Sequence, residues 1–245
     1  MKKKICAAAW VAVAMAGLAG AQVPAAAKNE RSFNAGLSLT DGNSETLAAN
    51  ASLIAEGEKQ GLGSYRFGFE GNYGESTVDE VTSTTVGNAK GYGTVRRTLN
   101  ERLYASLDAT ALYDDIAEVD YRITVGPGIG VYLVKNDRIA LSLEAGPSYV
   151  WEEVGGVGDD YLALRFAQRL DVRFNANAKL WESVEYLPDT EGFDSYLVNA
   201  EVGIEASVAD PVVLRVVLQN KYDSEPSPGL EGNDLSLISS LGVKF

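Results

Sequence analysis

The residue types that usually carry catalysis are scarce in this sequence. It contains no histidine, and its one cysteine is Cys6, close to the amino terminus. Ser-His-Asp triads, Cys-His pairs and histidine-bound metals are therefore excluded, because each needs an imidazole as base, orienting group or ligand. Carboxylate chemistry remains, and its candidate pairs are Glu182 with Glu185 and Glu201 with Glu205.

The spacing of these carboxylates argues against an acid–base couple. Glu201 and Glu205 lie on one face of an alternating segment, and four residues of a strand separate them by about 13 Å, too far for such a couple. The glycine-rich GPGIG stretch at residues 126–130 lacks the lysine and the helix of a phosphate-binding loop. Pro127 and Ile129 continue the apolar face of this segment, so the glycines are expected to face inward and either leave room in the lumen or permit curvature of the sheet. We predict no enzymatic activity and no cofactor.

Charged side chains of both signs alternate with apolar ones along most of the chain. If the apolar side of each strand faces outward, the charges line an interior lumen. Two interpretations stay open, a ladder of paired charges that fills the interior and a narrow aqueous path. No connection is long enough for a plug, which favours a filled or only narrowly open lumen. The predicted lumen-lining charges are Arg66, Glu70, Arg102, Asp108, Arg122, Glu144, Arg165, Arg169, Asp171, Arg173, Glu201, Glu205 and Arg215.

Acidic residues also cluster in the connections on one side of the predicted barrel. A solvated rim is the simpler interpretation, and the alternative is Mg²⁺ or Ca²⁺ shared with lipopolysaccharide phosphates, since carboxylate oxygens suit hard cations. The residues concerned are Glu75, Asp79, Glu80, Asp114, Asp115, Glu118, Glu152, Glu153, Asp159, Asp160, Asp189, Glu191, Asp223, Glu225 and Glu231.

The elements that would position these side chains are strands, because apolar residues recur at every second position. In the last segment Leu237, Leu241, Val243 and Phe245 share one face. The predicted strands are long for a soluble sheet and suit a membrane-spanning one. They are residues 31–41, 44–57, 62–73, 83–97, 101–113, 119–133, 138–150, 160–174, 179–189, 194–206, 212–222 and 233–245.

The connections favour an outer-membrane barrel over a soluble sandwich. Tight turns such as 135–137 alternate with longer loops such as WEEVGGVGDD and GESTVDEVT, which is typical of short periplasmic turns and long external loops. Aromatic residues recur at the strand ends, as in the girdles of such barrels. Those near the long loops are Tyr73, Tyr113, Tyr149, Trp151, Tyr161, Tyr196 and Tyr222, and those near the tight turns are Phe174 and Phe245. The predicted fold is an all-β transmembrane antiparallel barrel of about twelve strands, of the Gram-negative outer-membrane type.

The amino-terminal segment predicts export. Three lysines precede a short apolar run that ends in small residues, so residues 1–21 are predicted to be a cleaved signal peptide. Residues 22–30 would form a short periplasmic segment and residues 31–245 the barrel, located in the bacterial outer membrane. The net charge of −13 argues against nucleic acid as a partner.

The chain also resembles a family of known but functionally undefined proteins. The stretches LTDGNSET, LNERLYASLDA, LRFAQRLDVRF, AKLWESVEYLPDTEGFDSYLVNAEVGIE and YDSEPSPGLEGNDLSLISSLGVKF are similar to the YdiY-like family of salt-induced outer-membrane proteins, a domain of unknown function. The resemblance implies a single barrel and no reaction.

Function and partners are expected to follow from a barrel in the membrane. The first hypothesis is a structural, salt- or osmotic-stress-related envelope protein, the second a small passive channel for ions or small solutes, and an outer-membrane enzyme is a distant third. Expected partners are outer-membrane lipid, lipopolysaccharide and the barrel-assembly machinery, whose C-terminal recognition signature the strand ending at Phe245 resembles.

Overall fold

Twelve β-strands make up most of the described part of the chain. The computed structural model describes residues 29–40, 45–59 and 63–245, so that the predicted signal peptide 1–21, residues 22–28 and the Gly42-Asn43 turn lie outside the described residues. The strands are β1 Asn29–Thr40, β2 Glu45–Lys59, β3 Gly63–Val78, β4 Val81–Thr98, β5 Leu103–Asp114, β6 Val119–Lys135, β7 Ile139–Val154, β8 Val157–Asn175, β9 Ala178–Pro188, β10 Tyr196–Ala209, β11 Val212–Asp223 and β12 Asn233–Lys244.

The strands close into one antiparallel barrel. Each strand pairs with its neighbours in sequence, and β1 pairs with β12 to complete the ring. Closure gives every strand two partners, although β1 and β12 are paired only from Ser32 with Lys244 to Ala35 with Leu241. The predicted twelve-stranded antiparallel barrel is confirmed. In the described part of the chain, no helix is long and apolar enough to span a membrane.

The barrel has two ends, the terminal end and the loop end. The terminal end contains Asn29, Phe245, the adjoining strand ends Lys59 and Gly63, and the turns at residues 99–102, 136–138, 176–177 and 210–211. The loop end contains the other described connections. At the terminal end the backbone amide of Phe245 donates to the carbonyl of Arg31 over 2.9 Å, which extends the β1–β12 seam to the last residue of the sequence.

Alternation of side chains gives the barrel an apolar outside and a polar inside. In β12 the outward Leu237 and Leu241 are 70% and 59% exposed, whereas the inward Ser240 is 7% exposed. Val243 and Phe245 also face outward. A continuous outer surface of this kind is typical of a protein that spans a membrane.

Two loops expected at the loop end are tight turns instead. The stretch GESTVDEVT extends β3 and β4 as far as a turn at Asp79 and Glu80, both with positive φ. The stretch WEEVGGVGDD extends β7 and β8 to Gly155 and Gly156, which also have positive φ. Two consecutive residues with positive φ match the right-handed twist of a hairpin, so pairing continues beyond the predicted strand ends.

Most of the predicted loop-end aromatics form clusters on the outer surface, and one faces the lumen instead. Tyr149 packs on Trp151 with ring centroids 4.6 Å apart, and Tyr196 stacks on Tyr222 at 5.7 Å. Tyr161 was predicted to join this outer girdle, which is wrong. It lies on the inward face of β8 and packs against the buried Val150, Ala163, Leu187 and Leu197, because its odd position in β8 shares a face with Ala163 rather than with Leu162.

The barrel lumen as candidate functional site

Charged side chains meet in the middle of the lumen around one arginine. Arg165 of β8 forms ion pairs with Asp108 of β5 at 3.2 Å, with Glu185 of β9 at 2.5 Å and with Glu144 of β7. Arg96 of β4 reaches the same Glu144 at 3.5 Å. The Glu144 side chain is only 2% exposed, so its charge depends on these two cations for compensation.

A second network lies near the terminal end. Lys179 of β9 contacts Glu30 of β1, Glu56 of β2 and Glu205 of β10 at 3.2–3.5 Å. Lys244 of β12 contacts Glu30 at 2.9 Å and Glu205 at 2.6 Å. This network links five strands around the seam where the barrel closes.

A third network crosses the lumen at the loop end. Lys221 of β11 pairs with Asp114 of β5 at 2.9 Å, and these strands occupy opposite positions in the ring. Arg122 of β6 pairs with its neighbour Glu152 and, over 2.7 Å, with Asp223 of β11. Side chains from facing walls therefore touch across the lumen at this end.

The loop between β11 and β12 covers the same mouth. Its Ser227 is 5% exposed and forms a hydrogen bond with Glu118, which precedes β6 on the opposite wall. Gly155 of the β7–β8 turn lies against Ser227 with no room for a Cβ, and its amide donates to the Glu118 carbonyl. No plugging loop was expected from the sequence, and the loop at residues 224–232 corrects that expectation in part, because its Ser227 reaches across the mouth to Glu118.

Three arginines lie on aromatic rings that face the lumen. The guanidinium of Arg96 lies 4.9 Å from the ring centre of Tyr104, and that of Arg215 lies 4.8 Å from Trp181. Arg66 sits 5.9 Å from Tyr92. Such cation–π contacts hold each arginine beside its ring.

Each of these rings lies on a glycine of the neighbouring strand. Tyr104 is paired with Gly130, and a Cβ at that glycine would collide with the ring. The same holds for Tyr92 on Gly68 and Trp181 on Gly203. The inward glycines of GPGIG were predicted to leave room in the lumen or to permit curvature. The space beside them is occupied by residues of the neighbouring strands, such as Tyr104 at Gly130 and Ser148 at Gly126.

The predicted lumen charges are placed unevenly. Arg165, Asp108 and Glu144 converge, whereas Arg169 pairs only with Asp171, two residues away on the same face, at 2.7 Å. Half-buried Arg173 lies beyond them in β8, toward the terminal end. Arg102 does not line the lumen, because it precedes β5 and is exposed in the turn.

The other predicted residues all have partners inside. Arg66 pairs with Glu56 at 3.4 Å, and Gln219 donates to both Glu70 and Glu201. The Trp181 indole donates to Glu201. The remaining three, Arg122, Glu205 and Arg215, belong to the contacts described above.

Several lumen residues escaped the sequence-based set. Lys179 and Glu185 lie on β9, where apolar residues occur on both faces and the alternation is weak. Glu56, Arg96 and Lys244 were also missed. Lys244 lies on the polar face of β12 opposite Leu237 and Leu241, and that alternation was the available signal. For β2 and β4 no inward charge had been predicted.

The carboxylate pairs considered for catalysis are not assembled. Glu185 faces inward to Arg165, whereas Glu182 lies on the outward face of β9. Glu201 and Glu205 contact different partners, Trp181 and the two lysines. Within residues 29–40, 45–59 and 63–245, no group of three or more acidic side chains is close enough to hold a metal ion.

Charged side chains are partly accessible to water in both end networks. Near the terminal end Lys179, Glu56 and Asp171 are 30%, 32% and 47% exposed, whereas Glu205 is 6% exposed. In the loop-end network Lys221 and Asp223 are 26% and 22% exposed, whereas Asp114 is 9% exposed. What distinguishes the loop end is that its ion pairs join facing walls of the barrel.

Comparison with solved structures shows the same kind of fold. The NanC porin superposes with a TM-score of 0.51 at 9% identity, covering 89% of this chain and 99% of the porin. An outer membrane channel from Pseudomonas putida F1 gives a TM-score of 0.49 at 13% identity, with 91% and 97% coverage. At 9% identity the likeness to the NanC porin is one of fold, and the fold is that of an outer-membrane barrel.

Sequence comparison identifies the family to which the chain belongs. A search of curated proteins found no match. The family described as "Protein of unknown function, DUF481" matches residues 33–245, which is almost the whole described barrel. The chain therefore belongs to the DUF481 family.

Proposed function

We propose that this protein is an integral outer-membrane barrel of the bacterial envelope with a structural, non-catalytic role, and that its lumen is closed at the loop end at rest. The continuous apolar outer surface and the closed sheet support the membrane location. Lipid and lipopolysaccharide are then its immediate surroundings, and the β12 strand is the segment offered to the barrel-assembly machinery.

The observation that carries this proposal is the set of contacts across the loop-end mouth. Lys221 with Asp114 and Arg122 with Asp223 join facing walls through atoms 2.9 Å and 2.7 Å apart. Ser227 adds a third connection through Glu118. A solute entering from the loop end would have to separate these pairs, so the resting barrel does not offer a free path.

A non-catalytic role is supported by the chemistry of the interior. The sequence has no histidine, and the buried carboxylates are engaged in ion pairs or hydrogen bonds. A role in salt or osmotic stress is supported by the more exposed pair of Lys179 with Glu56, at 30% and 32% exposure, because exposed ion pairs weaken as ionic strength rises.

The second candidate is a passive channel for ions or small solutes. The charges near the terminal end favour it, because Asp171, Lys179 and Glu56 are partly accessible to water. In that case the loop-end contacts act as a gate, and the loop at residues 224–232 is its moving part.

Planar-bilayer recording distinguishes the two functions. We expect a silent bilayer with the refolded protein, after insertion has been verified by a mobility difference between boiled and unboiled samples. Discrete conductance steps from the unaltered protein would refute the structural proposal and establish the channel. A variant with residues 224–232 replaced by Asn-Gly, combined with Lys221→Met, serves as the opened comparison.

A further inference from the structure

The outward surface of the barrel has one charged residue in the middle of its apolar belt. Along the central parts of the described strands, the outward positions are apolar or small apart from Gln168, Glu182, Asn220 and Ser239. Glu182 is paired with Leu170 of β8 and Val202 of β10. A charged side chain that faces lipid within the apolar belt destabilises a barrel.

Glu182 and Gln168 lack partners within the described chain. Asn220 donates to Asn233 and to the Asp234 carbonyl, so its polar group is satisfied. Neither the Glu182 carboxylate nor the Gln168 amide has a hydrogen bond or ion pair among the residues that the structure describes. Polar groups inside a membrane are usually paired, so an unpaired couple points to a partner outside the chain.

The two side chains lie next to each other at similar depth. Phe33 lies near the terminal end of β1. Its paired residue on β2 is paired in turn with a residue of β3, and the same sequence of pairs ends on β8 at Asp160, which lies near the loop end. The strands are therefore tilted, and each step to the next strand rises toward the loop end. Gln168 and Glu182 are diagonal neighbours across the β8–β9 pair, about 8 Å apart, and with this tilt their separation runs along the membrane plane.

We propose that this β8–β9 face is an interface between two copies of the chain within the membrane. A two-fold axis along the membrane normal, passing between Gln168 and Glu182, places each amide opposite the other copy's carboxyl group. The amide donates and the carboxyl accepts, so one arrangement forms both bonds, as an isologous interface requires. Leu170 and Val184, one on each strand, then meet their own counterparts near the axis.

A second copy fits this face better than lipid does. Acyl chains offer no donor or acceptor to Glu182, whereas the second copy offers the complementary group at the required depth. The rest of the face is apolar, with Leu162, Leu164 and Phe166 on β8, so it suits both lipid and protein and does not oppose association.

Disulfide cross-linking in isolated outer membranes tests the interface. The sole natural cysteine is Cys6, within the predicted signal peptide, so introduced cysteines report alone. With a mild oxidant, Val184→Cys should give a band of twice the barrel mass on a non-reducing gel. The matched control is Leu53→Cys, an outward residue of β2 on the far side of the ring that is 53% exposed, and it should remain monomeric.

Variants of Glu182 in the Val184→Cys background test the reciprocal bonds. Glu182→Leu should reduce the cross-linked fraction several-fold while the difference between boiled and unboiled mobility is retained, which shows a folded barrel. Glu182→Gln keeps a hydrogen-bonding group and should retain most cross-linking. Equal cross-linking of Val184→Cys and Leu53→Cys, absence of cross-linking at Val184→Cys, or no effect of Glu182→Leu would each overturn the interface without affecting the structural proposal.

Discussion

Arg165 is the residue on which most lumen charge depends. Its guanidinium is 13% exposed and contacts carboxylates from three strands, including Glu144, which is almost fully buried. A guanidinium presents several donors in a fixed plane, so one arginine is able to serve three acceptors. Removing it leaves buried negative charges close together with only Arg96 to compensate them.

Substitution of Arg165 should therefore destabilise the barrel strongly. Arg165→Met keeps much of the side-chain volume and is expected to cost about 3–5 kcal/mol, the usual effect of leaving buried charges unpaired. The free energy of unfolding is measured by urea titration in detergent, followed by tryptophan fluorescence.

Arg169→Met is the matched control for this measurement. Arg169 lies on the same strand and face, but its partner Asp171 is 47% exposed, so the expected cost is below about 1 kcal/mol. Equal losses for the two variants would contradict the central role of Arg165.

At the scale of strands, glycines and aromatic residues fix how neighbours pack. Tyr104 of β5 is 1% exposed because Gly130 of β6 leaves space for its ring against the wall. The same device joins β3 to β4 and β9 to β10. A ring across a glycine covers the exposed backbone and helps to hold the strand register.

A methyl group at Gly130 should disturb this packing. Gly130→Ala is expected to destabilise the barrel by about 1–3 kcal/mol, the cost of overpacking, because the ring must move. In the Tyr104→Ala background the same change should cost less, since the two residues are in contact and their effects are not additive. Urea unfolding of the four proteins gives the coupling.

Gly91→Ala is the comparison for this strand-scale test. Gly91 of β4 faces outward, and a Cβ there meets no atom within 4 Å. We expect a change within about 0.5 kcal/mol. A loss as large as that of Gly130→Ala would show that the cost arises from the backbone rather than from the Tyr104 ring.

The strands were predictable from sequence to a greater extent than the site. Alternation of period two identifies all twelve strands, because one side of every strand faces apolar surroundings. The turn at Gly155-Gly156 was missed although two glycines are a known hairpin signal, and the Asp79-Glu80 turn carries no such signal. The alternation of side chains along each strand assigns Arg165 and Glu144 to the lumen. Their contact with Asp108 depends on the barrel radius and the strand tilt, which local sequence does not encode.

At the scale of the whole molecule, closure is weakest at one seam. Among the described residues, β1 and β12 share four register pairs, whereas β8 and β9, the next shortest pairing, share nine. Ion pairs between side chains strengthen the contact between β1 and β12, where few backbone pairs form. Lys244 connects Glu30 of β1 to Glu205 of β10 through contacts of 2.9 Å and 2.6 Å, which brace β12 from both sides.

Reversing the charge of Lys244 should therefore weaken closure. Lys244→Glu places a third carboxylate beside Glu30 and Glu205 and removes one of the two lysines that neutralise them, leaving Lys179 alone. We expect the temperature at which the unboiled band converts to the boiled one to fall by several degrees. Adding Glu30→Lys restores an opposite-charge pair across the seam and should recover part of the loss.

The control for altered net charge is Lys135→Glu. Lys135 lies at an exposed strand end, and among the contacts described it touches only the Tyr132 ring. If it lowers the conversion temperature as much as Lys244→Glu does, the effect is one of overall charge and the seam is not the weak point of the barrel.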